Sequence, residues 1–248
     1  MLRLINLFRP AGLAIAATLA LVLLPISHAG ATNAADKEKE VRSIMYDFAT
    51  CVIKKNHRRA ADAIISNVNN TEMLKRYSDL ADGKCLGAVA GNVQLSFVGD
   101  QFSYALADAL VNADFAVSGP VDFANKLPLA PLSRTMKAEF EASLEKEKSK
   151  RMRVKMEENF RKNQTLTWLS SYGECVARQN PPAVRLWLLT KPSGPEELSR
   201  INVLRPAFAA CMDKGTVSFG RVVMRGTVAI NYYRLAMATP QPVSGSAH

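Results

Sequence analysis

Histidine is almost missing from this chain. Three occur in 248 residues: His28 and His248 near the two ends, and His57 beside Arg58 and Arg59 at an expected helix junction, where it reads as an exposed surface residue. Two tryptophans and 7% aromatic content leave few platforms on which nucleobases would stack. The sequence has no Cys-x-x-Cys, no His-Glu-x-x-His, no Gly-x-Ser-x-Gly and no phosphate-cradling glycine loop. These absences remove the common thiol-redox, zinc-hydrolase, serine-hydrolase and nucleotide-binding signatures. No histidine stands at ligand spacing from a cysteine, so the sequence carries no metal site and calls for no cofactor. A carboxylate pair suffices for some hydrolases, and Glu174 and Asp108 qualify by type, but neither has a distinguishing context. No catalytic residue is assigned.

What is present begins at the N-terminus. "MLRLINLFRP" supplies Arg3 and Arg9 without an acid, "AGLAIAATLALVLLPI" is apolar as far as Pro25, and "SHAGAT" follows with small residues. A basic start, a short apolar run and an Ala-x-Ala ending describe a bacterial secretory signal peptide over residues 1–31, cut after Ala29 or Ala31. A membrane span is the rival reading, but it needs about 20 apolar residues, and the proline and the cleavage-like tail oppose it. No cysteine follows the run to take a lipid anchor. The expected product is periplasmic or secreted and not an integral membrane protein. Beyond residue 31 the charge is uneven. Residues 32–133 hold 11 basic and 12 acidic groups, 134–162 hold 10 and 6, and 163–248 hold 9 and 4.

Two hexapeptides stand 124 residues apart, "CVIKKN" at 51–56 and "CVARQN" at 175–180. Ile44, Phe48, Cys51 and Val52 match Trp168, Tyr172, Cys175 and Val176, at spacings that keep them on one helix face. Beyond the hexapeptides, Ala60, Ile64 and Ile65 match Val184, Leu188 and Leu189. Asn180 followed by Pro181 predicts that one helix ends and another begins there, and a break at Asn56 is expected by analogy. A third helical stretch then reaches Cys85 in the first copy, capped by Asn70 or Thr71. In the second it reaches Cys211, capped by Ser193, with Pro206 expected to bend or split it. Each copy closes on an apolar segment, with Ala107 aligned to Ala229. "VVMRGTVAINYY" reads as strand or helix, and its alanine-rich partner favours helix. Arg225, Tyr232 and Tyr233 there fit either a small pocket or plain core packing.

Four cysteines allow three pairings, and a duplicated unit selects the pairing within each copy, Cys51–Cys85 and Cys175–Cys211. The expected fold is all-α: two tandem duplicated helical modules (36–111 and 166–238), one intramodule disulfide each, joined by a long charged helix. A proline-containing loop (112–132), packed by Phe115, Phe123 and Leu127, precedes that helix (133–165), which Ser133 would cap. The tail at 239–248 reads as disordered. Within the linker helix Met136, Phe140 and Leu144 share one face, as do Met152, Met156 and Phe160. Between these two sets lie Lys146, Lys148, Lys150, Arg151, Arg153 and Lys155 with a single acid. Such a stretch is either a solvated connector or a contact for an anionic surface, phospholipid or lipopolysaccharide. Nucleic acid fits least, because no aromatic residues interleave with the charges.

The string "CVARQNPPAVRLWLLTKPSGPEE…C…SF…RG" resembles exported alphaproteobacterial proteins built from paired cysteine-containing helical units. The resemblance covers roughly residues 168–236. The first copy departs from it, because "VGDQFSYALADAL" lacks the Arg-Gly pair. It implies the helical fold and brings no catalytic residue. Two functions follow as expectations: a non-enzymatic interaction protein that contacts an envelope protein or anionic surface through the basic helix, or a hydrolase or small-molecule binder with its pocket between the modules.

Overall fold

The helical spacing around the two hexapeptides becomes the buried face of two long helices. A computed structural model describes residues 29–68, 70–90, 100–130, 137–212 and 219–238, and every regular element among them is helical. These elements are α1 (Ala29–Ile65), α2 (Asn70–Arg76), a 3-10 turn (Ser78–Leu80), α3 (Gly83–Ala90), α4 (Gln101–Phe115), α5 (Lys137–Lys146), α6 (Lys150–Gln179), α7 (Pro181–Leu188), α8 (Pro195–Ala210) and α9 (Arg221–Met237). Residues 1–28 of the expected leader, the cap at Ser133, Met136 on the linker and the tail at 239–248 lie outside what is described, as does the side chain of the expected cap Thr71, whose backbone is already helical in α2.

The expected breaks at the two asparagines are both present. Asn56 interrupts α1 with a non-helical backbone (φ −132°, ψ 38°), and Asn180 separates α6 from α7 (φ −154°, ψ 76°). The side-chain oxygen of Asn180 accepts from the Ala183 amide at 3.1 Å, and Pro181 occupies the first turn of α7. Phe48 and Val52 are buried as Tyr172 and Val176 are, and Ala60 and Ile64 as Val184 and Leu188 are. Ile65 departs from its partner: α1 ends there, and the side chain is 45% exposed.

The apolar segment at the end of each half is helical, α4 and α9, which resolves the strand-or-helix alternative. Both are central. Every residue from Phe102 to Val111 is buried, as is nearly every residue from Arg225 to Leu235, the mark of a helix covered on all sides. α1 packs on α4, α4 on α9, and α9 on α6, so one continuous core runs through both halves. Two glycines allow the close approach. A Cβ on Gly226 would stand 2.1 Å from the Cβ of Tyr104, and one on Gly173 would stand 2.6 Å from Thr227.

Both disulfides pair as expected, Cys51 with Cys85 and Cys175 with Cys211. They fasten α3 to α1 and the end of α8 to α6. With separations of 34 and 36 residues, each stabilises the fold by about 4 kcal/mol on the chain-entropy account.

Several boundaries differ from expectation. The third stretch of the first half is not one helix but α2, the 3-10 turn and α3, because Asp82 starts a new helix by accepting from the amides of Lys84 and Cys85 at 2.7 and 3.2 Å. Gly194, not Ser193, caps α8; Ser193 instead takes a left-handed backbone (φ 64°) and gives its amide to Glu197. α8 carries Pro206 without splitting. α4 continues to Phe115, which shortens the proline-containing loop at its start. Phe123 packs into the core as expected, but Leu127 is 56% exposed. Hydrogen bonds take its place: Arg178 donates to the carbonyls of Phe123, Lys126 and Leu127 at 2.6, 3.2 and 2.8 Å, and Glu174 accepts from the Leu129 amide at 3.1 Å.

The charged linker is not one helix either. Ser149 stops it and starts another, its hydroxyl accepting from the Met152 amide at 3.4 Å while its own amide donates to Glu147 at 2.7 Å. α5 therefore ends at Lys146, and α6 runs from Lys150 straight through the expected boundary at 165 to the second cysteine turn.

Candidate functional site

The break at residues 147–149 folds the charged segment into a helical hairpin. α5 packs chiefly against α6, and the Phe140 and Phe160 rings stack across the pair with centroids 4.0 Å apart and planes 5° from parallel. No residue from 137 to 168 is buried, so the hairpin stands off the core. Its turn gathers the six basic residues singled out above. Lys146 ends α5, Lys148 lies in the turn, and Lys150, Arg151, Arg153 and Lys155 open α6. All six are exposed, and no carboxylate among the described residues pairs with any of them. Met152 and Val154 sit among these cations, 45% and 47% exposed.

The local electrostatics are unfavourable for the helix. An α-helix carries a partial positive charge at its N-terminus and favours acids there, yet the first turn of α6 has no acid and is basic instead. Lys150, Arg151 and Arg153 add their charge to the helix dipole. Helix stability alone would select the opposite residues.

A second constellation is buried in the core. Arg225 of α9 forms a two-pronged ion pair with Asp108 of α4, Nε to Oδ2 at 2.9 Å and Nη2 to Oδ1 at 3.0 Å. Its remaining hydrogens go to the end of α7, to the carbonyls of Trp187, Leu188 and Thr190 at 3.2, 2.7 and 2.7 Å. Nη1 also lies 3.3 Å from Glu197 Oε1, which is 2.5 Å from Arg42 Nη2 of α1. None of the four charged side chains is more than 7% exposed. Burial pushes the Asp108 carboxyl above the usual carboxylate range, and Arg225 pulls against it. The four charges sum to zero, as a buried group requires.

Of the residues set aside as a possible pocket, Arg225 lines a cleft, while Tyr232 and Tyr233 are wholly buried. Burial raises both tyrosines, Tyr232 to about 12. Asp108, a candidate carboxylate, is held by Arg225. Glu174, the other, is held by Arg178 at 2.8 Å and by the loop amide. The two are tied into separate networks. His57 is 47% exposed, and its Nε2 lies 2.6 Å from Asp114, whose other oxygen accepts from the Tyr233 hydroxyl at 2.8 Å. The sequence reading missed this contact, and separations of 57 and 119 residues leave no local signal for it.

Among the described residues no group of histidine, cysteine or carboxylate side chains could hold a metal, and no helix is long and apolar enough to cross a membrane. Comparison of the chain with protein families, curated proteins and solved structures finds no match.

Proposed function

We propose that this is a non-enzymatic interaction protein of an oxidising compartment, periplasmic or secreted, that attaches to an anionic lipid or lipopolysaccharide surface through the tip of the α5–α6 hairpin. The leader-like N-terminus and two disulfides support the compartment, since such bridges persist where thiols are oxidised. Two tandem copies of one helical unit, as in the exported alphaproteobacterial proteins it resembles, supply the scaffold that holds the hairpin out. The observation that carries the reading is the exposed, unpaired cluster of Lys150, Arg151 and Arg153, set where the helix dipole opposes it. Residues that work against local stability mark sites kept for another purpose. An anionic surface relieves that repulsion, and the exposed Met152 and Val154 can enter the interface.

Each cation near such a surface is worth about 1 kcal/mol, and the attraction fades beyond a Debye length of about 8 Å at physiological salt. Cosedimentation with vesicles tests the reading. The chain should bind phosphatidylglycerol-containing vesicles and ignore pure phosphatidylcholine, with binding falling steeply as salt rises. The triple variant K150E/R151E/R153E should lose binding while its Tm holds or rises, because its acids now complement the dipole. Undiminished binding by this variant, or binding indifferent to salt, would refute the proposal.

A further inference from the structure

The buried ionic cluster forms the floor of a cleft between the two halves of the chain. The cleft is small and open to solvent, with Arg42, Met45, Tyr46 and Ala105 on one side and Pro192 and Val222 on the other. Its hydrogen-bonding capacity is lopsided. Both oxygens of Asp108 are occupied by Arg225. Glu197 Oε1 accepts from both arginines, and Oε2 accepts from the Ser193 amide. Every carboxylate oxygen of the cluster therefore has a donor already, and of the two carboxylates only Asp108 lines the cleft.

The donors are not matched in the same way. Arg42 is 5% exposed and gives Nη2 to Glu197. Its Nε and Nη1 have no partner among the described residues, although the side chain lines the cleft. These hydrogens are not sealed in the core, so an acceptor entering the cleft can meet them. Val222 lies in the first turn of α9, and Gly220 ahead of it supplies no capping side chain. The half-buried hydroxyl of Tyr46 is a further donor at the rim.

We infer that this cleft binds a small monocarboxylate, its charged end on the open donors of Arg42 and its short apolar body against Met45, Ala105 and Val222. Filled acceptors exclude a cation. The neutral cluster beneath, with the Asp108 carboxylate in the lining, disfavours a dianion such as phosphate. The enclosed part of the cleft is small and limits the body to a few carbons. The site shares no residue with the hairpin and stands or falls apart from it.

Ligand-observed NMR and calorimetry on the full chain with both disulfides formed provide the test, with butyrate, n-butanol and butylammonium as probes. Butyrate should bind saturably in the millimolar range, and the neutral and cationic analogues should not. Arg42→Lys keeps an ion-pair partner for Glu197 but loses the spare donors, and should weaken butyrate about tenfold or more, the loss expected for a charge-assisted bond. Val222→Phe fills the cleft and should abolish binding, whereas K150E/R151E/R153E should bind butyrate as the parent does. Equal binding of butyrate and butanol, unaltered binding in Val222→Phe, or no saturable binding of butyrate would each overturn the inference. The comparison of probes on the parent chain decides it even where a variant fails to fold.

Discussion

Arg225→Met is expected to be among the most damaging single substitutions in this protein. The guanidinium is the only counter-charge in direct contact with Asp108 among the described residues, and it is also the donor for three carbonyls at the end of α7. Removing one partner of a buried pair costs about 3–5 kcal/mol, because the other charge stays behind without compensation. Each orphaned buried carbonyl adds about 1–3 kcal/mol where water cannot reach it. Against a total of about 5–15 kcal/mol for a folded domain, the variant keeps little margin. Urea unfolding followed by circular dichroism, with disulfides intact, measures the loss. At a slope of about 2 kcal/mol per molar the midpoint should fall by about 2 M for the lost pair alone, and further for each carbonyl that water cannot reach. Adding Asp108→Leu removes the stranded charge and should restore about 2 kcal/mol, leaving Arg42 and Glu197 paired. The coupling energy of the resulting cycle isolates the pair from the carbonyl contacts. A midpoint for Arg225→Met within about 0.5 M of the parent, or no recovery on adding Asp108→Leu, would show that the cluster does not hold the core as described.

Replacing both cysteines of either bridge with alanine should cost about 4 kcal/mol, and nearly the same for each bridge because the loops are of equal size; chemical denaturation of the two double variants checks this. Gly226→Ala should destabilise by about 2 kcal/mol or more, because the new methyl meets the Tyr104 Cβ rather than a flexible side-chain end, and a Tm shift reads it directly. In the alkaline range Tyr172 and Tyr232 are raised from 10.0 to about 12 by burial. The folded state thus keeps its protons where the unfolded state releases them, so the stability is whole below pH 10 and drains away as pH climbs toward 12. Absorbance titration at the phenolate band, run alongside unfolding, should find these two rings silent until the fold gives way.

Much of the scaffold could be read from spacing. The shared pattern from Ile44 to Val52 and from Trp168 to Val176 located the buried faces and the helix breaks, and the repeat selected the disulfide pairing because cysteines at matching positions have matching neighbours. The departure of the first half from the Arg-Gly pair has a physical reason. With Ala107 opposite Ala229, Tyr104 falls opposite Gly226, and these two residues touch across the α4–α9 contact: one side chain fills the room the other leaves. What was not legible is tertiary. Ser149 and Asp82 are ordinary polar residues until a helix starts on them, so the hairpin turn and the split of α2 from α3 went unforeseen. The ionic cluster draws Arg42, Asp108, Glu197 and Arg225 from four helices, and nothing within a few residues of any of them announces the others. The two helical units carry one disulfide each, as expected, but how they meet could not be read for the same reason. Periodicity marks which face of a helix is apolar but does not say against which neighbour it is placed, and α4 and α9 chose each other.

Because each bridge joins cysteines that are neighbours in order along the chain, correct oxidation needs no sorting. A polypeptide that meets an oxidant from its amino end forward has only Cys51 and Cys85 to join until Cys175 arrives 90 residues later. The first loop can close before any wrong thiol exists, and the last two cysteines then find only each other. An oxidase without isomerase activity should suffice to mature this protein.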